Sequence, residues 1–254
     1  MVLQYIIGAT VLVSLVSLVG VLTLGLSERT QKKILMLMVA FASGTMLATA
    51  FFDLLPESIG EIGVQTALSF ALAGIIFFFV VEKIVLWHHH HAPHKKGLKI
   101  EGETEKPLGY LNLVGDGMHN FFDGIAIAAA FLAGFPVGVS VTFAVMLHEI
   151  PQEIGDFGLL LYSGFSRRKA IAFNLLSALT AVAGGVLFYF ASPYISNLEG
   201  LGLAFTAGGF VYMSTGDLFP EFHRETDTKN SLLQLALILA GILFIWLFTK
   251  TIGR

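Results

Sequence analysis

No cysteine occurs among the 254 residues of the chain. That removes disulfides and thiolate ligands at once, so any bound metal must be held by nitrogen and oxygen. Charge is scarce too. Only 13% of residues are Asp, Glu, Lys or Arg, about half the share of an ordinary soluble domain. The net charge of −3 offers no basic surface to a nucleic acid. Apolar residues fill the space, at 55% of the total, and a lipid bilayer is the solvent that such a composition fits. The first stretch, MVLQYIIGATVLVSLVSLVGVLTLGLSERT, has no basic start, and its apolar run exceeds the roughly 7–15 residues of a cleavable signal core. It reads as a retained transmembrane helix.

A spanning helix needs roughly 20 mainly apolar residues. Eight stretches qualify, at about 3–26, 34–56, 64–87, 109–133, 137–162, 169–191, 201–222 and 231–249, the fourth and fifth being the least apolar. Basic residues then set the direction. The gaps after spans 2, 4 and 6 hold none. The gaps after spans 1, 3, 5 and 7 hold Arg29, Lys32, Lys33, Lys95, Lys96, Lys99, Lys106, Arg167, Arg168, Lys169, Arg224 and Lys229. By the positive-inside rule these loops are cytoplasmic and both termini are extracytoplasmic.

Two stretches repeat. FASGTMLATAFFDLLPE at 41–57 and FTAGGFVYMSTGDLFPE at 205–221 share Phe41/Phe205, Gly44/Gly208, Asp53/Asp217, Leu54/Leu218, Pro56/Pro220 and Glu57/Glu221 at a constant offset of 164. They lie in spans of opposite direction. An acid followed by proline is also a common way to end a membrane helix, but an inverted repeat is a recurring transporter design with its substrate site near the midplane. The expected fold is therefore an all-α polytopic membrane protein of eight transmembrane helices. Its arrangement is 3+2+3 with inverted repeats, forming a single domain over 1–254. On this reading Asp53 and Glu57 line an outer mouth, while Asp217, Glu221 and His223 line an inner one.

The polar residues of spans 4 and 5 are concentrated. In YLNLVGDGMHNFFDGIAIAAAF, Asp116, His119 and Asp123 follow at i, i+3 and i+7 and share a helical face, with Asn120 beside them. In VMLHEIPQEIGDFGLLLY, His148 pairs with Gln152 and Glu149 with Glu153 at i, i+4, and Asp156 follows. Each ionised side chain at the bilayer centre costs about 2.5–3.5 kcal/mol even on the milder scales. A single membrane histidine is often interhelical glue. Two, each with an acid or amide one turn on, call for a divalent cation, whose natural ligands are imidazole nitrogen and carboxylate oxygen. Asp116 and Asp156 lie toward the cytoplasmic ends, where solvent reaches. Pro151 removes a backbone donor and leaves the carbonyl of Leu147 free, which is expected to kink the helix beside His148. Gly124 and Gly155 are expected to bring spans 4 and 5 close together. In span 6, Asn174 stands one turn from Ser177 and is available to complete a site.

HNFFDG at 119–124 and HEIPQEIGDF at 148–157 resemble the ZIP family of divalent metal transporters, and the likeness covers most of the chain. The resemblance implies that spans 4 and 5 line the route, that the protein is a homodimer, and that His119, Asn120, Asp123, His148, Glu149 and Gln152 are candidate ligands. Many members have HNxPEG and HEIPEG here. Phe122, Asp123 and Gln152 depart from that pattern, and the fifth-span motif resembles the LIV-1-like branch, in which a histidine commonly stands where Gln152 does. The expectation is one well-formed site from His119, Asp123, His148 and Gln152. A weaker neighbour would use Asn120, Glu149 and Asn174, with Glu153 nearby.

The function implied is transport of a divalent metal, zinc foremost, into the cytoplasm across the cell membrane. The metal is substrate, and no cofactor is expected. A cation channel with the same ligands is an alternative. An intramembrane zinc protease is a remote one, since His148 and Glu149 begin an H-E-x-x-H pattern but Gln152 replaces its second histidine. The loop at about 88–108 carries His88, His89, His90, His91 and His94. Clustered imidazoles bind zinc and similar ions, so the loop is expected either to capture or sense delivered metal or to serve as a solvated spacer. Uptake unchanged at every zinc concentration after deletion of this run would remove the metal-binding role.

Overall fold

Helices account for nearly all of the backbone in the structure, a computed structural model that describes residues 1–22, 27–91, 106–219, 222 and 226–251. The first helix, α1, runs Val2–Val16 and resumes after a turn at Ser17 and Leu18 as Val19–Leu22. Helix α2 begins at Glu28–Thr49, where Ser27 caps it by accepting from the Thr30 N–H at 3.3 Å. It widens into a π turn at Ala50–Leu54 and continues through Leu55–Ile62. Gly63, at φ 78°, reverses the chain into α3, Val64–His91. Helices α4 and α5 are Lys106–Ala133 and Phe135–Tyr162. A tight turn with Gly164 at φ 85° closes α5, the Phe165 N–H donating to the Leu160 carbonyl at 3.1 Å. Helix α6 has two pieces, Arg167–Ala178 and Thr180–Ala191. Helix α7 is Leu198–Tyr212 with a π turn at Met213–Leu218, and α8 is Thr228–Thr251. No strand occurs among the described residues.

Among the described residues, five stretches are long and apolar enough to cross a membrane: Val2–Leu22, Lys33–Ile62, Val64–Lys83, Arg167–Tyr194 and Thr228–Thr251. The remaining helices fall short for a physical reason: α4 and α5 carry the buried acids and histidines, and α7 dilutes its apolar residues with Glu199, Asp217 and many glycines, serines and threonines. Helices α3 and α8 expose long apolar side chains such as Leu68, Leu72, Ile76, Leu235, Leu239 and Leu243. In water those faces would be a liability; against lipid they are ordinary. The core lies where α4 and α5 meet α2 and α7, built from small residues such as Ala128, Ala129, Ala144 and Ala207 with Ile127, Val141 and Phe210.

The repeat read from the sequence has a structural counterpart. Both copies place their aspartate, Asp53 or Asp217, inside a π turn. A Cβ built on Gly44 would meet the backbone oxygen of Ile238, and one on Gly241 that of Phe41. Their equivalents mirror them: Gly208 abuts the Ala71 carbonyl, and Gly74 that of Phe205. Thus α2 packs on α8 just as α7 packs on α3, each helix of one repeat gripping one of the other. The repeats also touch at equivalent positions, since the Ser14 hydroxyl of α1 donates to the Ala178 carbonyl of α6 at 2.7 Å. Helices α1 and α6 are interrupted at nearly matching places, Ser17–Leu18 and Leu179.

Two expectations about packing are corrected. Gly124 lets α6 approach rather than α5, because its Cβ position is filled by the Ala181 carbonyl. Gly155 has nothing within 4 Å of that position. Helix α5 runs unbroken through Pro151.

Candidate metal centre

Helices α4 and α5 each present a histidine and a carboxylate to the same point. His119 and His148 bring their Nε2 atoms to 3.3 Å. Asp123 Oδ2 lies 3.1 Å from His148 Nε2 and 3.7 Å from His119 Nε2. Glu149 Oε1 is 3.4 Å from both nitrogens. A tetrahedral ion with bonds of about 2.0–2.2 Å has ligand–ligand edges of about 3.3–3.6 Å. The observed separations bracket that edge. The side chains of Asp123, His148 and Glu149 are almost wholly buried.

Backbone geometry prepares the imidazole of His148. Its Nδ1 is 3.1 Å from the Ala144 carbonyl one turn earlier in α5. A carbonyl only accepts, so Nδ1 carries the hydrogen and Nε2 turns a lone pair into the quartet. Glu149 Oε1 is buried with no hydrogen bond. Two imidazole nitrogens and two carboxylate oxygens this close, one of those oxygens buried without a hydrogen bond, are the donor set of a divalent cation.

Below the quartet lies a second group. Asp116, Glu149 and Glu153 bring one oxygen each within 4.8 Å of one another. Asn120 Nδ2 donates to Asp116 Oδ1 at 2.8 Å and to the Asp116 carbonyl at 3.2 Å. Asn174 Nδ2 donates to Glu153 Oε2 and, at 3.4 Å, to the Ser17 carbonyl, which the interruption of α1 leaves available. The Oδ1 atoms of Asn120 and Asn174 and the Oδ2 of Asp116 are buried without a hydrogen bond.

Space around the quartet is lopsided. Toward the Asp123 side a cavity of about 10 Å³ is pinched by Phe78, Phe122, Phe205 and Phe210. That is about the least that admits one water. On the other side a cavity of about 290 Å³ runs from His119 and Gln152 past Asp116 and Asp156 to Glu82 and Tyr212.

The remaining candidate residues are distributed unevenly. Gln152 lines the larger cavity beside His119, and Glu149 supplies the fourth atom of the quartet. Asp116 is buried in the wall of the larger cavity, while Asp156 is half-buried and accepts from Asn112 Nδ2 at 3.0 Å. Asp53 does not face an open mouth. It is buried, with Ser140 Oγ donating to Oδ2 and Thr249 Oγ1 to Oδ1 at 3.0 Å. Glu57 is half-buried one turn on. The Asp217 side chain, Glu221 and His223 lie outside the described residues, as do the side chains of His88, His89, His90 and His91 and the whole of His94.

Sequence reasoning missed Glu82, Asn112, Ser140, Tyr212 and Thr249. An acid interrupting the apolar run FFFVVEKIVLW was the available signal for Glu82. Nothing in the local sequence marks Ser140 or Thr249.

Against known families, the ZIP zinc transporter model matches residues 2–108 and 87–249. The chain belongs to the ZIP zinc transporter family. Among its ZIP relatives, the zinc transporter zipt-7.2 of Caenorhabditis elegans is 38% identical over 149 residues, 57% of this chain and 32% of that protein. The zinc transporter SLC39A7 of Homo sapiens is 39% identical over 156 residues, 59% of this chain and 32% of its own length. The zinc transporter ZIP13 of Danio rerio is 43% identical over 143 residues, covering 55% and 41% respectively. The matched region thus spans about a third to two-fifths of these relatives. As a ZIP member the chain is an all-α polytopic membrane protein.

Proposed function

We propose that the chain carries a divalent cation, zinc foremost, across a membrane through the quartet of His119, Asp123, His148 and Glu149. The observation that carries this reading is the spacing of the four ligand atoms, 3.1–3.7 Å along the five measured edges. The relatives are named as zinc transporters, which supports the choice of metal. The second group, with Asn120, Glu153 and Asn174, is close enough to share or relay the ion. Gln152 stands at the exit of the quartet as an auxiliary ligand.

One-sided access supports a carrier over an open pore. By the distribution of basic loops, the larger cavity faces the cytoplasm and the pinched side faces outward. Metal then enters from the pinched side and leaves inward past Asp116 and Asp156, in a homodimer of the cell membrane with extracytoplasmic termini. The chain is a transporter rather than an enzyme in this reading, and the metal is its substrate.

The test is zinc uptake into proteoliposomes, with bound metal quantified in parallel. The unsubstituted chain takes up and retains zinc, and His119→Ala/His148→Ala does neither. Undiminished uptake by the double variant would place the route elsewhere.

A further inference from the structure

An ion held by four protein ligands has shed its water and must recover it to leave. The cavity beyond His119 has the volume for that step. Six waters at about 30 Å³ each occupy about 180 Å³, within the roughly 290 Å³ available. Its wall also has the right chemistry. Asp116 is buried with Oδ2 lacking any hydrogen bond, and Asp156 Oδ2 is buried and likewise unbonded. At the far end Glu82 of α3 accepts from the Tyr212 hydroxyl of α7. Among the described residues, neither Lys nor Arg lines the cavity.

We propose that this cavity is a second cation site, distinct in chemistry from the quartet. It holds a divalent ion that keeps most of its water, bound through Asp116 and Asp156, with Glu82 as a further carboxylate at the far end. All three are hard oxygen donors, suited to a hydrated cation that dehydrates reluctantly. Among the described residues, imidazole lines this cavity at the quartet end, at His119. Tyr212 occupies one oxygen of Glu82 and so competes with the ion's waters for it. The ion passes from a tight nitrogen–oxygen cage to a loose aqueous one, and Tyr212 releases Glu82 as it moves on. This inference rests on the transport reading for the ion's route, but not on the quartet for its ligands.

The test uses Mn²⁺ as a probe on the full chain in lipid nanodiscs. The background carries His119→Ala and His148→Ala, with His88, His89, His90, His91 and His94 changed to serine. Electron–nuclear double resonance is expected to show one Mn²⁺ per chain with several coordinated waters and no ¹⁴N coupling. Adding Asp116→Asn/Asp156→Asn, which keeps side-chain shape, weakens binding at least tenfold. Adding Tyr212→Phe instead tightens it severalfold by freeing Glu82. The proposal fails if the background binds no Mn²⁺, if the bound ion has nitrogen ligands, or if the asparagine pair leaves affinity unchanged. None of those failures touches the zinc uptake that tests the quartet, and loss of quartet transport leaves the Mn²⁺ result to be read by itself.

Discussion

Glu149→Gln is expected to bind zinc about a hundredfold more weakly than the unsubstituted chain, and Gln152→Ala only a few-fold more weakly. Structural zinc sites bind with about 10–16 kcal/mol, so one ligand in four carries about 3 kcal/mol, or roughly a hundredfold. Glu149 Oε1 lies 3.4 Å from both imidazole nitrogens, on two edges of the same tetrahedron. An amide there keeps shape but loses the charge that binds a divalent cation most strongly. Gln152 is already neutral and stands in the cavity wall beside His119, so its loss removes a weak ligand at most. Competition against a chelator of known affinity, with transport KM in parallel, measures both variants. If Gln152→Ala proves the more damaging, the fourth ligand is the amide and the quartet is misassigned.

The second large effect concerns folding rather than chemistry. Gly44→Ala and Gly208→Ala should each destabilise the protein by about 3 kcal/mol, at the upper end of what overpacking costs. Each added methyl would be driven into a backbone carbonyl, Ile238 in one case and Ala71 in the other. A side chain can swing aside, but a helix backbone must be displaced bodily. Gly8→Ala and Gly155→Ala are the internal controls, since nothing lies within 4 Å of either Cβ position. Thermal unfolding in detergent, followed by size-exclusion chromatography, should show early loss of the monodisperse species for the first pair alone. Equal behaviour of all four variants would mean that these contacts do not clamp the repeats.

How far the sequence announced this molecule depended on the kind of signal. Apolar length located the helices to within a few residues, because a bilayer imposes one thickness on all of them. Helical spacing put His119 with Asp123 on α4 and His148 with Gln152 on α5, but spacing within a helix cannot say which atoms of two helices converge. Glu149 and Gln152 point in different directions around α5, and only the crossing of α4 and α5 brings Glu149 to the histidines. The same limit explains Gly124: glycine announces a close approach without naming the partner, and α6 is that partner. Asp53 was legible as special, yet its hydroxyl partners Ser140 and Thr249 lie on α5 and α8. Contacts between residues so distant in the chain leave no local trace.

The cross-gripping of the two repeats governs how the protein is made. Helix α2 finds its glycine-to-carbonyl partner on α8, roughly 200 residues later in synthesis. At about 5–20 residues per second a ribosome takes about 10–40 seconds to supply it. During that wait Asp53 has neither Thr249 nor a completed α8 beside it, and a carboxylate sits in a half-built bundle. The chain therefore passes through a stage in which its N-terminal third is membrane-inserted but unmated, the interval in which a membrane chaperone or a quality-control protease would meet it.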